Sequence, residues 1–171
     1  MAVTRPPYFY NIKQKHKPQN FKIMAKVHAY LNFNGDCNQA FDFYQKVFNS
    51  ERSGTYFYDD IPAEPNQPPL PEDAKGKVMH TAVKINNETM LMGSDVVEGF
   101  GHALTNGNST YIMLDVESPE EAKQYYDALS EGARVMEMEL GETFFAELYS
   151  SFQDKFGINW MIHFEGNKKM G

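Results

Sequence analysis

A repeat constrains this chain more than any other feature. Residues 29–48, AYLNFNGDCNQAFDFYQKVF, and residues 110–129, TYIMLDVESPEEAKQYYDAL, each run from an apolar stretch through a polar turn into a helical pattern. Both contain Ala-x-x-aromatic-Tyr, as Ala40 to Tyr44 and as Ala122 to Tyr126. An amphipathic helix alone produces part of such a match by chance. The shared order of strand, turn and helix favours two copies of one unit.

The first helix buries Ala40, Phe41, Tyr44, Val47 and Phe48, spaced i, i+1, i+4, i+7, i+8. Asp36 and Gln39 stand three apart, the spacing of a capping box with Asp36 as N-cap. The second helix has the better specified start. Ser118 caps, Pro119 takes the first helical position and Glu121 comes three residues on. Its stripe is Ala122, Tyr125, Tyr126 and Leu129, and Gly132 supplies the left-handed stop.

The segments C-terminal to the two helices also correspond. After the first helix come GTYFY, a long loop over residues 59–77 holding five of the nine prolines, then KVMHTAVKI, an Asn86-Asn87 turn and ETMLMGSD. The loop is read as exposed and mobile. After the second come ARVMEMEL, FFAELYSSFQD, a Lys155-Phe156-Gly157 turn and INWMIHFE. Phe144, Phe145, Leu148, Ser151 and Phe152 fit a helical stripe as well as a strand, and the repeat alone selects strand. Each half therefore reads β-α-β-β-β.

Composition bounds the function classes. A chain of 171 residues is one domain by its length, and 13 Phe, 10 Tyr and 10 Met imply an aromatic, soft interior. Residues 1–23 carry five bases and no acid, leaving 11 bases against all 23 acids, a net −12, on the remainder. An acidic body with a short basic tail is a poor match for nucleic acid. The tail has no signal-peptide pattern, and no stretch nears the ~20 apolar residues that span a bilayer. Met24 serves as an alternative first residue, with residues 1–25 a basic, disordered extension. The single cysteine, Cys37, rules out an internal disulfide, suits a reducing cytoplasm and reads as inert.

The stretch YLNFNGDCNQAFDFYQKVF, the MHTAVKI…LMGSD hairpin and the closing ETFFAELYSSFQDKFGINWMIHFE resemble the PhnB-like branch of the vicinal oxygen chelate superfamily. That superfamily includes glyoxalase I, bleomycin-resistance proteins and extradiol dioxygenases. The resemblance spans roughly residues 26–165. It implies an α+β fold of paired βαβββ modules, 26–98 and 108–167 within one domain at 26–167, whose curved mixed sheets enclose a cleft. It also implies a homodimer. The branch is often labelled after a demethylubiquinone methyltransferase, yet no strand here runs into the glycine-rich loop that a nucleotide-like cofactor needs.

The superfamily's metalloenzymes hold a divalent ion with His, Gln or Glu from the first and last strands of each module. The resemblance carries those positions onto Ala29 or His28, onto Tyr111, into Met90 to Met92, and onto Met161. None but His28 offers an oxygen or imidazole donor suited to such an ion, so no metal and no other cofactor is expected. A displaced site from His80, Asp95 and His163 is the alternative, and it would make the protein a metal-dependent lyase or oxygenase. His16, His28 and His102 read as surface residues.

The expected function is binding of a small organic molecule in a cleft lined by Tyr111, Met113, Trp160, Met161 and His163. His80, Asp95 and Glu142 are the weak candidates for acid–base work. Strict alternation sends Trp160 and Met161 to opposite faces, so one of them is core, and Met161 is the expected cleft residue. The run Glu137, Glu139, Glu142 reads equally as a solvated strand face.

Overall fold

The computed structural model describes residues 25–62, 69–99 and 103–168. Readings that fall on residues 1–24, on the centre of the proline loop, on His16 and on His102 lie outside them.

The repeat folds twice into the same unit. The first comprises β1 (Ala29–Phe33), α1 (Cys37–Val47), β2 (Arg52–Phe57), β3 (Val78–Lys84) and β4 (Met90–Asp95). The second comprises β5 (Ile112–Asp115), α2 (Pro119–Leu129), β6 (Val135–Gly141), β7 (Leu148–Gln153) and β8 (Asn159–Phe164). Each makes a four-stranded mixed sheet of equivalent order, β1-β4-β3-β2 and β5-β8-β7-β6. First and last strands pair in parallel, and the rest are antiparallel. The FFAELYSSFQD segment settles as strand β7, with Phe144 and Phe145 in the preceding loop.

The helices form where the stripes predict. Ala40, Phe41, Tyr44 and Val47 are buried on α1, and Ala122 and Leu129 on α2. Ser118 Oγ accepts from the Glu121 amide at 3.1 Å, and Glu121 Oε2 accepts from the Glu117 amide at 3.2 Å. The start of α1 departs from expectation, because the Asp36 side chain makes no capping hydrogen bond. Asp95 does that work from the end of β4. Its Oδ1 accepts from the amides of Gly35 (2.8 Å) and Cys37 (3.0 Å), and its Oδ2 from Val78 (2.8 Å). A carboxylate is the right group for this place, because it accepts on both oxygens and suits a helix N-terminus.

Each helix packs on one face of its own sheet, and the two helix-bearing faces share one core. That core runs from Phe33, Phe41 and Leu91 to Leu114, Phe152, Trp160 and Ile162. Gly93 permits the approach of α1, since a Cβ there would stand 2.6 Å from the Phe41 ring. The modules are joined at Asp154, which is fully buried. Its Oδ2 accepts from Tyr44 Oη of α1 (2.6 Å) and from Trp160 Nε1 (2.9 Å), and its Oδ1 from the Phe156 and Ile158 amides. Phe43 packs against Phe156, and Phe48 against Tyr125 and Trp160. With the helix-bearing faces committed to this core, the opposite face of each sheet lies outside it.

Candidate functional site

Strand alternation decides what each open face displays. On the second sheet, Leu114, Phe152, Trp160 and Ile162 point to the core, so Met113, Asp115, Ser151, Met161 and His163 point the other way. The register places Met113 beside Met161 and Asp115 beside His163, with Ser151 and Tyr149 across from Met161 and His163. On the first sheet the same argument gives Tyr30 beside Met92, and Tyr56 beside His80. Tyr30, Tyr56, Met113 and Met138 are each about half exposed. An apolar surface with a few ordered polar groups is what small-ligand sites present.

Two polar arrangements stand on the second face. In the first, His163 Nδ1 lies 2.7 Å from Asp115 Oδ1. A carboxylate only accepts, so Nδ1 carries the hydrogen and the neutral ring keeps its lone pair on Nε2. Phe145 stacks on the imidazole at 6.4 Å and 16°, and Tyr149 meets Phe145 edge-on at 5.1 Å. The ring is therefore fixed by one hydrogen bond and one aromatic plane.

In the second, Glu137 on β6 accepts from Ser151 Oγ at 2.5 Å and from Tyr111 Oη at 2.6 Å. The two hydroxyls favour the ionised carboxylate, so Glu137 titrates below the usual range. For the same reason the Tyr111 phenol is raised, chiefly by its hydrogen bond to that carboxylate.

On the first sheet Tyr30 and His80 stack with centroids 5.9 Å apart, with Tyr30 Oη 3.4 Å from His80 Nδ1.

Several sequence-predicted residues fall elsewhere. Trp160 is fully buried in the core and hydrogen-bonded to Asp154, which removes it from the expected wall and leaves Met161 there. Asp95 is 2% exposed on the helix side of its sheet, with its oxygens committed to three backbone amides. His80 is on the opposite face of that sheet and His163 on the other sheet, so the trio does not converge. Glu142 pairs with Lys168, whose hydrogen bond and charge hold its carboxyl below the usual range.

The strand register also corrects the positions carried over for metal ligation. Ala29 stands opposite Leu91 and shares its side of the sheet, and the His28 ring accepts from the Met90 amide. The paired open-face positions of first and last strands are Tyr30 with Met92 and Met113 with Met161. A neutral phenol and three thioethers do not suit a hard or borderline divalent ion. Among the described residues no group of three or more His, Cys, Asp or Glu is placed to hold a metal.

Sequence reasoning left Asp115, Ser151 and Tyr149 out of the site and read Glu137 equally as part of a solvated strand face. A usable signal for Asp115 existed. It alternates with Met113 on β5, and the parallel pairing of first and last strands sets it beside His163.

Comparison with known proteins agrees with this architecture. Residues 25–163 match the family described as 3-demethylubiquinone-9 3-methyltransferase. Protein YjdN of Escherichia coli strain K12 is 29% identical over 146 residues, covering 78% of this chain and 91% of YjdN. The crystal structure of protein PA1353 from Pseudomonas aeruginosa is 31% identical with a TM-score of 0.71, covering 82% of this chain and 98% of that one. A PhnB protein from Bacillus cereus, described as a putative 3-demethylubiquinone-9 3-methyltransferase, is 24% identical with a TM-score of 0.64, over 82% and 99% of the two chains. The duplicated βαβββ unit, its paired sheets and this match over most of the chain make it a member of that PhnB-like family, and it shares the fold of a glyoxylase/bleomycin resistance protein/dioxygenase domain from Frankia sp. EAN1pec, 13% identical with a TM-score of 0.56 over 85% and 94% of the two chains.

Proposed function

We propose that this protein binds a small organic molecule against the open face of its second sheet, without a metal ion, and works as a cytoplasmic homodimer in which a second copy covers that face. The observation that carries the reading is the Met113–Met161 pair. It is an apolar patch flanked on one side by His163 with Asp115, and on the other by Glu137 with Tyr111 and Ser151. Thioethers adapt to varied ligand shapes, while the fixed polar groups supply orientation. His80 and Tyr30, from the first sheet, are the groups a second copy would bring.

The functional domain on this reading is 26–167, built of modules 26–98 and 108–167. The cytoplasmic assignment is supported by the buried, unpaired Cys37. Among the described residues no helix is long and apolar enough to cross a membrane. The family's methyltransferase description finds no support in the two strand-to-helix turns, Asn34-Gly35-Asp36 and Glu117-Ser118, which are not glycine-rich.

The test is a small-molecule screen read by methyl NMR on protein labelled at methionine. Binding should shift Met113 and Met161 together and leave the core unchanged, before and after chelation. Stoichiometric metal in the purified protein, with binding lost on chelation, would overturn the metal-free reading. Ligand-induced shifts confined to other methionines would overturn the placement.

A further inference from the structure

We infer that Asp115 and His163 form a general-base dyad that takes a proton from a weakly acidic C–H bond of an uncharged small molecule bound on the open face. The inference rests on the binding reading above and adds a reaction type and a substrate class to it.

Geometry comes first. The carboxylate holds Nδ1 at 2.7 Å and so sets the tautomer in which Nε2 has the lone pair. Among the described residues no hydrogen bond engages Nε2. The imidazole is 18% exposed against 68% for the Asp115 side chain, so the base sits in the sheet surface while its carboxylate partner stays solvated. Phe145 lies nearly parallel to the ring, with centroids 6.4 Å apart. The ring therefore has a fixed plane and one free nitrogen, which is how a positioned base differs from a mobile surface histidine.

Charge selects the substrate class. A depression of about 500 Å³ opens at the strand ends next to the dyad, lined by Asp115 but not by His163, and is rimmed by Glu117, Glu147 and Glu165. With Glu137 also on this sheet, carboxylates predominate beside Asp115, and Lys168 at this corner is paired with Glu142. These carboxylates repel anionic substrates such as phosphate esters. The neighbouring wall is Met113, Met161 and the Phe145–Tyr149 pair, suited to an uncharged, flat or aliphatic body.

In the step, the C–H bond breaks and its proton bonds to Nε2. The electron pair moves into the substrate, and the imidazolium is held by Asp115 until the proton returns to substrate or leaves to water. No oxidant, reductant or second reactant is required. His163 is the catalytic residue, and Asp115 is a positioning residue.

The probe is 5-nitrobenzisoxazole, an uncharged flat carbon acid. Loss of its C–H proton to Nε2 breaks the N–O bond, forms the nitrile and releases a coloured phenolate. Wild type should show saturable turnover, with shifts at the Met113 and Met161 methyls. His163→Gln should lower kcat by about a hundredfold. Asp115→Asn should lower kcat by about tenfold with little change in KM. It should also erase the Nδ1–H tautomer preference that long-range proton–nitrogen correlation shows in the wild type. Lys123→Gln, at an exposed position of α2, should leave the rate unchanged. If the methyls shift and turnover survives in His163→Gln, the dyad is overturned while the binding reading stands. If saturating probe leaves Met113 and Met161 unshifted, the binding reading falls and the dyad with it.

Discussion

Cys37 and Tyr44 are both buried on α1, and each illustrates what burial does to an acid whose charged form has no use. Burial, with Asp95 nearby, pushes the Cys37 thiol far above its ordinary range. Tyr44 is raised by burial and by its hydrogen bond to Asp154. Both stay protonated in the folded chain and ionise in the unfolded one, from about pH 8.5 for the thiol and about 10 for the phenol. Above those values the unfolded state binds fewer protons than the native state, so stability falls as pH rises. Urea unfolding from pH 7 to 10.5 should show a falling limb that begins near pH 8.5. Cys37→Ala should delay that fall until the tyrosine range, at the cost of a small cavity. A limb unchanged by the substitution would mean that the thiol contributes nothing to it. The helix start at Cys37 was legible from Asp36 as N-cap; the company of Asp95 was not, because that carboxylate reaches the turn only through the β1–β4 pairing.

At the scale of elements, the two helix starts are alike in sequence and different in construction. Ser118 caps α2 from within its own turn, a local bond that spacing alone can announce. The equivalent role at α1 passes to Asp95, about 60 residues away, because only the β1–β4 pairing brings that carboxylate to the turn. Local patterning cannot show a cap of this kind. Ser118→Ala should therefore cost about 1 kcal/mol in chemical denaturation, and Asp36→Ala only a few tenths, since its side chain caps nothing. Asp95→Asn should cost about 3 kcal/mol, because the new amide turns a donor toward backbone donors and leaves one of them unpaired. Equal effects of Asp36→Ala and Asp95→Asn would reject this assignment. Strand alternation fared better. It separated Trp160 from Met161 correctly, but which of the two faced the core depended on α2 packing against β8. The Asp115–His163 pair needed the parallel register as well, and Glu137, though exposed, needed the β6–β7 pairing to bring it to Ser151.

At the scale of the whole molecule, the open faces set a problem that the monomer does not solve. The helix-bearing faces are joined by the shared core and by the Tyr44–Asp154 bond, so the chain has no further element among the described residues to lay over Tyr30, Tyr56, Met113 or Met138. Phe144, at 89% exposure, stands beside the same region. Apolar side chains on a sheet face of this kind mark an interaction surface. Two copies related by a twofold axis would place the first sheet of one over the second sheet of the other, twice, so each substitution acts at two symmetric places. Met113→Glu introduces a charge there, and even about 1.5 kcal/mol at each of the two places raises the dissociation constant by about a hundredfold. Sedimentation equilibrium should find wild type dimeric at micromolar concentration and Met113→Glu largely monomeric, with unchanged circular dichroism. Tyr30→Glu, on the other sheet, should act in the same direction, because the pairing joins unlike sheets. If only one of the two substitutions dissociated the dimer, the interface would lie on that sheet alone and the composite site with His80 would be lost. A wild type that sedimented as a monomer would leave the second face open to water and return His80 and Tyr30 to a separate surface.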